Sequence, residues 1–156
     1  MMINNDVLRS LRYMFDLPNG KVVDIIQAVD PAFAVDEAEI NDWLREEDNP
    51  LFVACPDAAL VRFLDGLILL RRGPSPDGSR RPFEKRSSNN LVLKKLRVAF
   101  NLKDEDMHAI FEDVGLPLSK PELSALFRDP SHKNFREAGD QVLRNFLKGL
   151  TARLRD

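Results

Sequence analysis

The chain repeats itself, and this limits the fold more than any other feature, because two stretches of related sequence must adopt one structure. Asn4-Asn5-Asp6-Val7-Leu8-Arg9-Ser10-Leu11-Arg12 matches Asn89-Asn90-Leu91-Val92-Leu93-Lys94-Lys95-Leu96-Arg97 at an offset of 85, which also pairs Phe15 with Phe100, Leu17 with Leu102 and Ile25 with Ile110. After a two-residue difference near Asp30 to Ala34 the offset becomes 83. It then pairs Glu39 with Glu122, Arg45 with Arg128, Phe52 with Phe135 and Asp57 with Asp140. Leu60, Phe63, Leu64, Gly66 and Leu67 likewise meet Leu143, Phe146, Leu147, Gly149 and Leu150. One module of about seventy residues is written twice.

Apolar residues recur at spacings of three and four, which predicts four helices in each copy and almost no strand. The first helix carries Val7, Leu8, Leu11, Met14 and Phe15, with Val92, Leu93, Leu96, Ala99 and Phe100 in the second copy; Asn5 and Asn90 stand where an N-cap is expected. The second carries Val22, Ile25, Ile26 and Val29 against Met107, Ile110, Phe111 and Val114, and its second copy opens on acidic residues that suit a helix start. Ser119 with Glu122, flanked by Leu118 and Leu123, predicts a capping box at the third helix, and Val35, Asp36, Glu39 and Ile40 repeat the device. Trp43 and its counterpart Leu126 are expected in the core. Gly66 and Gly149 lie on or beside the apolar stripe of the fourth helix, where a glycine costs about 1 kcal/mol relative to alanine. Keeping it twice predicts that another backbone passes close.

The duplicated Asn-Asn-x-Val-Leu openings, the stretch from Arg128 to Glu137 and the Phe-Leu-x-Gly-Leu endings resemble the YehS-like family of bacterial proteins, across the chain outside the linker. The resemblance implies a duplicated domain and carries over no activity, cofactor or catalytic residue.

The expected fold class is all-α, a tandem repeat of two similar four-helix modules packed with pseudo-twofold symmetry. Residues 1–73 form the first repeat, 74–88 a basic Pro/Gly/Ser-rich linker and 89–156 the second repeat. At 44% hydrophobic and 31% charged residues the chain is too apolar for disorder, and no apolar run approaches the roughly 20 residues of a membrane span. The opening Met1 to Asp6 has neither a basic nor an apolar leader region, and Cys55 is the one cysteine, so a cytoplasmic protein without an intramolecular disulfide is expected.

Charge divides unevenly. Residues 1–73 hold 7 basic and 13 acidic side chains, a balance of −6, whereas the linker and the second repeat each balance at +2. Arg71, Arg72, Arg80, Arg81, Lys85, Arg86, Lys94, Lys95 and Arg97, set against Asp77 and Glu84, form a basic stretch that is the strongest partner signal. It suits nucleic acid, a phosphorylated ligand or an acidic protein, or else serves as a solvated linker or as intramolecular glue against the acidic first repeat. Helices two and three invite a helix-turn-helix reading. In the first copy Asp36, Glu37, Glu39, Asp42, Glu46 and Glu47 would repel DNA, while Lys120, Ser124, Arg128, Lys133 and Arg136 in the second would permit it.

Catalytic signatures are sparse. His108 aligns with Val23, His132 with Asn49 and Cys55 with Ala138, so each reactive candidate is private to one copy. No phosphate loop or paired-cysteine motif is present, and no metal or cofactor is expected. The polar residues kept in both copies are Arg12 and Arg97, Arg45 and Arg128, and Asp57 and Asp140. They read either as caps and arginine–carboxylate pairs tying helix three to helix four, or as a shared anion-binding motif. The expectation is a non-enzymatic binding or regulatory protein, first a protein-interaction adaptor, with nucleic-acid binding through the linker and second repeat as the alternative. Unpaired surfaces could also support a homodimer, and no membrane partner is expected.

Overall fold

Residues 1–79 and 81–155 are described by a computed structural model, and all their regular secondary structure is helical. The first repeat contains α1 (Asn4–Phe15), α2 (Asn19–Val29), α3 (Glu37–Trp43) and α4 (Asp57–Arg72). The second contains α5 (Asn89–Ala99), α6 (Asp104–Asp113), α7 (Lys120–Leu126) and α8 (Asp140–Arg155). The protein is thus an all-α tandem repeat of two four-helix modules.

Helix ends follow local chemistry, with one departure. Asp36 accepts the Glu39 N–H at 2.9 Å to cap α3. At α7 the Ser119 hydroxyl accepts from the Glu122 N–H and the Glu122 carboxylate accepts from the Ser119 N–H, completing the expected box. The departure is at α1 and α5, where Ile3 and Ser88 occupy the cap positions. Asn5 and Asn90 lie inside the first turn and are spent on longer-range bonds, described below. At the other end, Asp16 and Asn101 take matching left-handed conformations, φ 51° and 52°. The next residues, Leu17 and Leu102, each donate back to the Arg12 and Arg97 carbonyls at 3.0 Å.

Two compact units result, one of Ile3–Ser87 and one joining Met1–Met2 to the residues from Ser88 onward. In the first, α2 packs on α4 around Ile26, Leu60, Phe63 and Leu64, with Ile40 and Trp43 of α3 also buried. In the second, α6 packs on α8, where the Phe111 and Phe146 rings lie 5.8 Å apart, and Leu126 is buried as expected.

The two glycines explain how closely these helices approach. A Cβ built on Gly66 would stand 2.2 Å from the Ile25 carbonyl oxygen, so α2 lies against bare α4 backbone. At Gly149 it would meet Ile110 Cγ2 at 2.8 Å and the Ile110 carbonyl oxygen at 3.1 Å. Each glycine accommodates the residue that the repeat itself pairs, Ile25 with Ile110.

Candidate functional site

The asparagines that open both copies act as internal fasteners, and they engage Asp57 and Asp140. The Asn4 amide donates to the Cys55 carbonyl at 2.9 Å and to the Asp57 carboxylate at 2.6 Å. Asn89 does the same to Ala138 and Asp140, both at 2.9 Å. Asn5 donates to the Trp43 and Val53 carbonyls and accepts the Cys55 N–H; Asn90 donates to Leu126 and Arg136 and accepts the Ala138 N–H. These asparagines tie the first turn of α1 or α5 to the segment entering α4 or α8, since buried main-chain groups there need partners.

This corrects the expected pairing of arginine with carboxylate across helices three and four. Arg45, just past the end of α3, bonds Asp42 in the last turn of that helix at 3.1 Å, and Asp57 and Asp140 are taken by Asn4 and Asn89. The Asp140 carboxyl is held below its usual range by the Asn89 amide first, and then by the amino terminus 3.1 Å away. Arg12 is exposed and Arg128 half-buried. Arg97 is turned inward, its guanidinium 4.8 Å over the Phe127 ring, bonded to the Leu102 carbonyl and paired with Asp104.

Two of the reactive candidates, Cys55 and His132, are similarly occupied. Cys55 is 5% exposed, and burial, reinforced by the Asp57 charge, pushes its thiol up to about 12, far from a thiolate nucleophile. His132 Nδ1 accepts the Asn134 N–H at 3.0 Å. Its counterpart Asn49 accepts the Leu51 N–H through Oδ1 at 2.8 Å, so the ring nitrogen does the turn-forming work of an asparagine oxygen. Among the described residues, no three or more His, Cys, Asp or Glu side chains converge as a metal site, and no helix is long and apolar enough to cross a membrane.

The described members of the basic stretch are divided between the two units. Arg80 lies outside the described residues. Arg71 and Arg72 close the C-terminal end of α4, where cations suit the helix dipole. Lys94, Lys95 and Arg97 belong to the second unit, and Arg97 is engaged as above. Arg81, Lys85 and Arg86 are exposed around Phe83, which supplies a contact the linker composition does not suggest. The Arg62 guanidinium lies 4.7 Å from the Phe33 ring centroid and 4.2 Å from that of Phe83. Its Nε donates to Asp30 at 2.8 Å and its Nη1 to the Ala58 carbonyl. The linker is therefore pinned to the first repeat by a cation–π contact. In the second repeat Asn145 replaces Arg62, keeping only the bond to its own helix, at Gln141.

The surface that separates the copies is the turn leading from α3 to α4 and from α7 to α8. Its main-chain frame is common to both. The Asn49 N–H donates to Glu46 and the Phe52 N–H to Asn49, as His132 does to Asp129 and Phe135 to His132; the Val53 N–H reaches Asp42 as the Arg136 N–H reaches Ala125. The charges are reversed. Residues 45–53 hold one arginine against Glu46, Glu47 and Asp48; residues 128–136 hold Arg128, Lys133 and Arg136 against Asp129 alone. All three carboxylates of the first turn, and Lys133 and Arg136 of the second, are exposed.

The neighbouring helix changes in step. In the first repeat Arg9 is consumed internally, bonding Asp6 at 2.8 Å and the Arg45 carbonyl at 2.8 Å. In the second, Asp6 becomes Leu91 and Arg9 becomes the exposed Lys94. Lys94 is close enough to help hold the Asp129 carboxyl below its usual range, after the Ser131 hydroxyl and N–H.

Comparison with known proteins agrees with the duplication. A family model described as "Protein of unknown function (DUF1456)" matches residues 4–73 and again 89–156. The chain is 47% identical over 152 residues to "Uncharacterized protein YehS" of Escherichia coli (strain K12), covering 97% of this chain and 96% of that protein. No solved structure matches it. Two matches spanning nearly all the residues outside the linker, and this relative, place the chain in the YehS-like DUF1456 family, whose function is unknown.

Proposed function

We propose that this protein is a non-catalytic binding module, a protein-interaction adaptor whose two repeats present one turn geometry with opposite charge. The observation that carries the reading is the contrast between what is spent and what is exposed. Asn4, Asn5, Asn89, Asn90, Asp57, Asp140, Cys55 and His132 serve the fold, whereas Glu46, Glu47 and Asp48 on one turn and Lys133 and Arg136 on the other are exposed. Charges arranged this way steer encounter and set partner choice more than they add affinity. Cytoplasmic residence fits the reading.

A native lysate passed over the immobilised protein, with and without nuclease, tests it. The adaptor reading predicts bound protein that survives nuclease and weakens with salt. It fails if nothing protein in nature is retained.

Nucleic-acid binding through the linker and the second repeat is the second reading, favoured by the outward placement of Arg81, Lys85 and Arg86 around the Phe83 anchor. Retention on DNA or RNA that disappears when Arg80, Arg81, Lys85 and Arg86 become alanine supports it. The balance of −6 in the first repeat opposes long polyanions.

A further inference from the structure

We infer that the cationic α7–α8 turn of one molecule docks on the acidic α3–α4 turn of a second copy of the same chain. The inference rests on the protein-binding reading above and names the partner.

The duplication supplies an internal control. Two segments of one origin retain the same backbone hydrogen bonds, including the unusual replacement of Asn49 Oδ1 by His132 Nδ1. The frame has therefore been held while its charge has moved in opposite directions, to −2 over residues 45–53 and +2 over residues 128–136 with His132 neutral. A merely solvated turn needs neither a held frame nor opposite signs. The neighbouring helix has changed with it: Arg9 is tied to Asp6 and to the Arg45 carbonyl, whereas its counterpart Lys94 is exposed.

A second copy meets the chemical requirement without an added partner. Its Glu46, Glu47 and Asp48 present three adjacent exposed carboxylates on a turn of the same dimensions as the one carrying Lys133 and Arg136. The net charge of −2 leaves little overall repulsion between copies. The balance of −6 over residues 1–73 makes a long nucleic acid the less suitable partner. Exposed ion pairs are individually weak and screened over about 10 Å at 0.1 M salt, so the association is salt-sensitive.

Sedimentation of the full chain over a range of concentrations tests the assignment. The wild type is expected to self-associate at about 20 mM salt and to weaken at least about tenfold at about 300 mM. Glu46→Lys with Glu47→Lys makes both turns basic, and Lys133→Glu with Arg136→Glu makes both acidic. Each double variant alone should remain monomeric, and the two mixed in equal amounts should associate again, which also shows that both are folded. A wild type that stays monomeric at low salt overturns the inference, as do double variants that associate alone or a mixture that does not. Self-docking falls, but protein binding stands, if a monomeric wild type still retains protein from a nuclease-treated lysate.

Discussion

Asn5 Oδ1 accepts the Cys55 N–H at 3.0 Å while its amide nitrogen reaches the Trp43 and Val53 carbonyls, so one buried side chain holds the end of α3 and the approach to α4 together. Asn5 is 2% exposed, whereas its counterpart Asn90 is half-buried. Asn5→Ala leaves three main-chain groups to satisfy and should cost about 3 kcal/mol; Asn90→Ala, whose bonds are better hydrated, should cost about half that. Denaturant unfolding of the two variants measures the difference, and equal costs would contradict it.

The helix contact at Gly66 is tighter than that at Gly149. Gly66→Ala drives a methyl group into the Ile25 carbonyl, main chain that moves only if α2 and α4 separate; at Gly149 the closest atom is a side-chain methyl. The first should destabilise by more than about 2 kcal/mol and the second by about 1 to 2 kcal/mol. Thermal unfolding of each variant gives the ranking.

Much of this was legible in the sequence. The repeat offsets located four helices per copy, the Ser119–Glu122 box marked the start of α7, and two glycines retained against their helix cost marked the close crossings. Asn5 and Asn90 carry the local signature of a cap because they stand at a helix start, while their partners lie between 36 and 50 residues away in sequence. The Arg62–Phe83 contact had no signal either, since Phe83 sits alone in a Pro/Gly/Ser-rich segment and periodicity cannot reach it. Alignment paired His132 with Asn49, but that the ring nitrogen would take over a turn hydrogen bond required the backbone.

The linker anchor gives a third expectation. Phe83→Ala removes one face of the Arg62 sandwich, a contact of about 1 kcal/mol. Trypsin cleavage after Lys85 and Arg86 should then accelerate about threefold to tenfold with helix content unchanged. Unchanged cleavage would mean that the ring does not restrain the segment.

Cys55 makes stability depend on alkaline pH. Its thiol titrates near 9 when unfolded and near 12 when folded. Between those values the unfolded chain binds fewer protons, so stability falls as pH rises, by at most about 1.4 kcal/mol per pH unit from this group. Cys55→Ala, which installs the residue found at Ala138, should make the decline shallower. Parallel declines for the two proteins in unfolding titrations from pH 9 to 11 would contradict the assignment.

The central claim is that frame and charge are separable, one serving the fold and the other partner choice. Replacing residues 46–53 with the sequence of 129–136 tests it most directly, with thermal unfolding and retention from nuclease-treated lysate as readouts. The account predicts a chimera that melts within about 5 °C of the parent and retains a different set of proteins. A chimera that fails to fold, or one that folds and retains the same proteins as the parent, contradicts it.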